Sequence, residues 1–177
     1  MHISVRWGAG LVLAAAAVAC MGQALTKQPA SVYHARRVAL AGELKGGVAI
    51  LFAAEEPLLD FMPYRQDEDF YYLTGWNEPG AALMVVAANG SERAYREILF
   101  LPTRNLRMET YTGPKLDADS RGVTKATGVD AVEPMTALAT ELNRMIDGDR
   151  KLSFNVWTQP DSAQAKAVVG FTAATLG

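Results

Sequence analysis

The amino-acid sequence predicts an α/β domain in which helices pack on a mixed β-sheet. Three observations predict it. Apolar patterns follow one another along the chain in the order α-β-β-ββ-α-β. The run Val48 to Ala53 is apolar throughout, as in a strand buried on both faces. Two further apolar runs are joined by a short Asn-Gly loop, the mark of a hairpin. Half of the 177 residues are apolar and a fifth are charged, which excludes a disordered tail, a collagen-like rod and a disulfide-dense miniprotein. Seventeen Lys and Arg stand against 19 Asp and Glu with no basic run. A nucleic-acid partner needs clustered cations to displace counterions, so that class is excluded too.

Residues 1–24 read as a signal peptide and not as part of the fold. Arg6 is their only charge, an apolar run follows from Leu11 to Ala19, and small residues lead to Ala24, the expected processing site. The run is about half of the roughly 20 residues that a bilayer span requires, so no membrane span is expected. Removal would leave 153 residues with 16 basic and 19 acidic side chains. It also takes away Cys20, the only cysteine, which excludes disulfides, CxxC metal sites and cysteine nucleophiles. The expected location is therefore exported, periplasmic or secreted. Lipid anchoring through Cys20 is the competing reading, weakened by the Ala at position 17.

Along the remaining chain, Thr26 to Ser31 is a polar lead-in. A helix is predicted from about Val32 to Leu44, with Tyr33, Leu40, Ala41 and Leu44 inside and Arg36, Arg37, Glu43 and Lys45 mostly outside. Gly46-Gly47 ends it. After the Val48–Ala53 strand comes an irregular stretch to Gln66, then a β-favouring aromatic run, Phe70 to Thr74, closed by Gly75. Ala81 to Ala88 and Tyr95 to Leu101 form the hairpin around Asn89-Gly90. A loop follows with a short strand around Glu109–Thr112, then a short helix over Ser120–Thr127 stopped by Gly128. Pro134 suits the first turn of the next helix, where Met135, Leu138, Leu142 and Met145 recur at helical spacing up to Gly148. Leu152 to Trp157 alternates as a strand does, and residues from Ser162 onward are Ala-rich.

The densest stretch is Pro63-Tyr64-Arg65-Gln66-Asp67-Glu68-Asp69, continuing through Gly75 to Glu78-Pro79-Gly80. Arg65 stands two and four residues from Asp67 and Asp69. A guanidinium fork held by those carboxylates would fix the loop, which makes the cluster structural. A catalytic carboxylate pair is the sharper alternative, but nothing nearby in the sequence supplies a nucleophile or a metal.

These residues resemble a known family. Arg65-Gln66-Asp67, Phe70-Tyr71-Tyr72-Leu73-Thr74-Gly75 and Glu78-Pro79 are similar to the signature of the aminopeptidase P (Xaa-Pro aminopeptidase) N-terminal domain, also called creatinase/prolidase-like. Tyr33 with Arg36-Arg37 and Leu40, Ile98 to Pro102 with Arg104, Glu109 to Gly113, and Gly128-Val129-Asp130 agree in order and spacing. The resemblance spans about residues 30–157. It departs at Tyr111, where the family pattern more often has Trp.

What the resemblance implies is a three-layer α/β/α domain over residues 25–160, with residues 161–177 starting a linker toward a catalytic pita-bread domain absent from this chain. In the intact enzyme that domain holds two manganese ions on Asp, His and Glu ligands and removes the N-terminal residue from peptides with a penultimate proline. After Asp130 the acids are Glu133, Glu141, Asp147, Asp149 and Asp161, with no histidine, and His34 stands alone on the first helix. None of them is assigned to the metal centre, so the expectation is a chain with no catalytic residue, no metal and no turnover by itself. Tyr111 and Arg65 are the nominated substrate contacts. Arg65, Asp67, Asp69, Tyr72, Gly75, Glu78 and Pro79 are the structural motif. Trp76, Phe154 and Trp157 are read as packing. Expected partners are the missing catalytic domain, proline-containing peptides and a second copy in a homo-oligomer. The uncharged end Ala174–Gly177 points to the N-terminal piece of a longer enzyme. A free-standing interaction or peptide-binding module, and the N-terminal domain of a prolidase, are the competing readings.

Overall fold

A computed structural model describes residues 27–57, 63–91, 93–148 and 156–159. The expected signal peptide, Cys20, Ala24, Leu152, Phe154, Asp149 and the 161–177 linker lie outside the described residues.

Helix α1, Ala30–Glu43, leads through a four-residue link into strand β1, Val48–Phe52. Helix α2 is Glu68–Thr74, and strands β2, Ala82–Val86, and β3, Arg96–Leu101, follow. A helical turn α3, Glu109–Thr112, and a short helix α4, Val123–Thr127, precede strand β4, Ala131–Pro134. A 3-10 turn over Met135–Ala137 opens helix α5, Leu138–Gly148, and strand β5, Val156–Thr158, closes the described chain.

The five strands lie in the order β4-β3-β2-β1-β5. The central pairs β1–β2 and β2–β3 are antiparallel, with Val48 opposite Val86 and Leu83 opposite Leu99. The outer pairs β3–β4 and β1–β5 are parallel, which makes the sheet mixed, as expected. Strand residues alternate between faces. Ala49, Leu83, Val85, Leu99 and Leu101 pack with Leu44 at the C-cap of α1, Phe70 and Leu73 of α2, and Val123 of α4. Val48, Ile50, Met84, Ile98 and Phe100 pack on the other face with Leu138 and Leu142 of α5. Two covered faces give three layers, α/β/α, and explain why the central strands are apolar throughout. Met135 and Met145 join the second cluster, as their helical spacing with Leu138 and Leu142 requires.

The hairpin is confirmed, its loop closed by paired bonds between Asn89 and Arg93. Four expectations are corrected. Phe70–Thr74 is a helix and not a strand: the Asp67 carboxylate caps it by accepting from Phe70 N–H at 2.8 Å, Glu68 and Asp69 favour its first turn, and Gly75 ends it at φ +61°. Local capping overrides the β preference of the aromatic side chains. Glu109–Thr112 is a helical turn, because Asn105 accepts from Met108 N–H at 3.2 Å and from Glu109 N–H at 3.0 Å. Pro134 ends edge strand β4, which had not been expected, and leads into the 3-10 turn; an edge position tolerates the missing donor. Arg37 is fully buried, not outside.

Candidate functional site

The motif between residues 63 and 80 is held by one amide. Gln66 Oε1 accepts from Ala54 N–H at 2.7 Å and from Asp67 N–H at 2.9 Å, while its Nε2 donates to Trp76 O at 3.1 Å and Glu78 O at 3.2 Å. Four backbone groups of two separate loops are thus satisfied by a single side chain, which a loop without ladder partners needs. Asp67 both caps α2 and accepts from Gln159 Nε2 at 2.9 Å, tying α2 to the end of β5. Thr74 Oγ1 donates to Phe70 O at 2.7 Å and accepts from Trp76 N–H at 3.0 Å, carrying the chain out of the helix. Gly75 is required here. A Cβ on it would meet the Tyr33 ring at 2.4 Å, and its φ is left-handed.

A buried ion pair locks this motif to the sheet. Arg37 Nε donates to Glu97 Oε2 at 2.6 Å and Nη2 to Glu97 Oε1 at 2.8 Å, with both side chains essentially unexposed. The remaining donors reach Leu73 O at 2.8 Å and Gly128 O at 2.7 Å. Tyr95 OH donates to Glu97 Oε2 at 2.5 Å, and His34 Nδ1 lies 3.1 Å from Oε1. Burial pushes the Glu97 carboxyl up, but hydrogen bonds from Arg37 and Tyr95, the guanidinium charge and the His34 contact outweigh it and hold the group below the usual carboxylate range. Burial and the bond to Glu97 push the Tyr95 phenol up. The sequence signal for this pair was the stripe Tyr33, Arg37, Ala41, Leu44, which places Arg37 among buried positions, and the inward register of Glu97 with Leu99 and Leu101.

The nominated residues stand apart from this network. Arg65 is exposed and pairs with Glu68 at 3.0 Å, not with Asp67 or Asp69 as expected, because Asp67 faces its own helix and Gln159. Asp69 is exposed. Tyr111 is 83% exposed on α3. Its turn is braced by Arg104, which donates to Glu109 at 2.8 and 2.6 Å and holds that carboxyl below the usual range. Tyr72 is half exposed, its ring under the Arg36 guanidinium at 4.0 Å. Glu78 meets Lys115 at 3.5 Å, and Trp76 is buried in the first cluster.

A polar groove of about 760 Å³ runs between α1 and the motif, lined by Tyr33, Arg36, Tyr64, Arg65, Tyr71 and Tyr72 among others. Tyr64 is a neutral phenol there, pushed up to about 12 by burial and by the Asp67 and Glu78 charges. Tyr111 does not line it. Among the described residues no three His, Cys, Asp or Glu side chains converge on a point, so they do not fit a dinuclear metal centre. The carboxylates of the network serve as caps and ion-pair partners, which holds backbone in place.

Fold and site together define an α/β/α domain with a mixed sheet, whose polar side chains position loops. The chain belongs to the aminopeptidase P N-terminal domain family, whose model matches residues 33–154. The Xaa-Pro aminopeptidase of Escherichia coli (strain K12) is 31% identical over 120 residues, 66% of this chain and 26% of that protein. Xaa-Pro aminopeptidase 3 of Dictyostelium discoideum is 30% identical over 122 residues, 64% of this chain and 23% of that protein. Among solved structures, aminopeptidase P from E. coli with the inhibitor Pro-Leu matches with a TM-score of 0.67 at 28% identity, over 82% of this chain and 32% of that one. Proline aminopeptidase P II from Yersinia pestis gives 0.68 at 28%, over 84% and 34%. The chain thus spans about a quarter to a third of the length of these two bacterial relatives, 26% and 34%. Among the described residues no helix is long and apolar enough to cross a membrane.

Proposed function

We propose that this chain is the non-catalytic N-terminal domain of an exported Xaa-Pro aminopeptidase, which removes the residue ahead of a penultimate proline. The match of residues 33–154 to the family carries the reading. On this reading the manganese centre that the family resemblance implies would be held outside the residues described above, and no step of its chemistry is assigned to them. What this domain contributes is a rigid platform: the Gln66 and Arg37 networks fix α2 and the surrounding loops beside the polar groove. Export rests on Arg6, the Leu11–Ala19 run and Ala24.

The test is hydrolysis of an Xaa-Pro tripeptide with added manganese, by the full chain alone and by the chain fused to the catalytic portion of the E. coli relative. Turnover by the fusion and none by the chain is the expected outcome. Manganese-dependent release of the first residue by the chain alone would overturn the proposal, and peptide binding without turnover by either would point to a free-standing module. Recovery of the protein outside the cytoplasm with Leu25 as its first residue checks the export reading; retention of residues 1–24 would refute it.

A further inference from the structure

Two adjacent arginines of α1 are used differently. Arg37 is neutralised by Glu97, whereas the half-buried Arg36 has no carboxylate partner among the described residues. Its Nη1 donates to Tyr72 O at 2.8 Å and its Nη2 to Gln28 Oε1 at 2.5 Å. The guanidinium carbon stands 4.0 Å from the Tyr72 ring centroid and 5.4 Å from that of Tyr33. These acceptors and rings are neutral, so they orient the fork without cancelling its charge. A guanidinium carries five N–H groups, and two of them are taken by protein acceptors here. An oriented cation with donors to spare is what a carboxylate ligand needs.

Arg36 lines the polar groove of about 760 Å³, a volume typical of small-ligand sites. The other cation of the groove, Arg65, is 85% exposed and pairs with Glu68, which lines the groove as well. That pair cancels itself and leaves Arg36 as the net charge. One positive charge matches a carboxylate better than a phosphate, which brings about two negative charges. The walls suit a peptide. Tyr64, Tyr71 and Tyr72 offer ring carbon beside hydroxyls, and the exposed Asn77 amide bonds to no described residue. Tyrosine-lined grooves favour extended, proline-rich backbone, which is preformed and loses little entropy on docking.

We infer that this groove binds an extended peptide through a carboxylate, with Arg36 as the anchor. The carboxylate belongs to an acidic side chain or to a C-terminus, and the tyrosine rings take the apolar residues beside it. This goes beyond the peptidase reading, because binding is measured on the chain without turnover, so either can fail alone.

NMR titration of the full chain with N-acetylated peptides tests this, since acetylation removes the amino terminus that an aminopeptidase acts on. N-acetyl-Pro-Ala-Pro-Glu amide and N-acetyl-Pro-Ala-Pro-Ala acid each carry one carboxylate, and N-acetyl-Pro-Ala-Pro-Gln amide carries none. A carboxylate peptide should bind about ten-fold or more tighter than the neutral one, with shifts at the amides of residues 64–72. Whichever of the two binds tighter names the source of the carboxylate. Arg36→Gln should abolish the preference and Arg36→Lys should keep part of it. Arg144→Gln, an equal change in net charge on helix α5 across the sheet, should leave it intact. Tyr72→Ala, at an exposed position, should weaken all three peptides by about three-fold or more. Thermal unfolding of each variant verifies that it is folded. Equal binding of the three peptides, or a preference that survives Arg36→Gln in folded protein, would overturn the inference. Displacement by equimolar sodium phosphate or acetate would show a plain anion site and overturn it as well.

Discussion

At the scale of single residues, the Arg37–Glu97 pair is the most consequential feature of the domain. Both charges are out of water, so removing one strands the other. Glu97→Gln or Arg37→Met should each cost about 3–5 kcal/mol in urea unfolding, and Arg37→Met with Glu97→Leu should recover part of that loss. A double variant no more stable than either single one would contradict the pairing. The pH dependence follows from the depressed Glu97 carboxyl. Its stabilisation is fully present above the ordinary carboxylate pKa of about 4.3 and is lost as pH falls through the lower folded value, because the unfolded chain takes up the proton first. Glu97→Gln should therefore flatten the acid limb of a stability–pH profile. None of this was legible from charge alone, since Arg36 and Arg37 are adjacent and only helical register separates the stacked, partly exposed one from the buried one.

At the scale of elements, α2 shows where sequence patterning was read against its period. Phe70 to Thr74 has the composition of a strand, yet Asp67 and Gly75 stand at the two ends of one short helix. The cap signals were in the sequence and outweighed side-chain propensity, which is a weak preference summed over seven residues. Asp67→Ala should cost about 1–2 kcal/mol by thermal unfolding, while Asp67→Ser keeps most of the stability. Equal losses in both would show that the link to Gln159, and not the cap, carries the effect. The hairpin, the doubly buried β1 and the α5 stripe were legible because periods of two and 3.6 residues dominate there. Strand β4 was not, being four half-buried residues that end in proline.

At the scale of the whole molecule, topology was legible as a mixed sheet with helices, whereas site geometry was not. The Arg65 network failed because a local partner, Glu68, competes with more distant carboxylates. Tyr111 and Arg65 are both exposed, so their replacement by Ala should leave the stability of this chain within about 0.5 kcal/mol. In the fusion with a catalytic portion, each should lower kcat/KM for an Xaa-Pro peptide by about ten-fold if it touches substrate, and unchanged turnover removes the nomination. One guanidinium has a last consequence for motion. Arg37 holds the carbonyls of Leu73 and Gly128, near the ends of two helices more than fifty residues apart in the chain. Those ends cannot fray independently. In native-state hydrogen exchange the amides of Gly75 and Gly128 should open as one unit with a common free energy, and Arg37→Met should uncouple them.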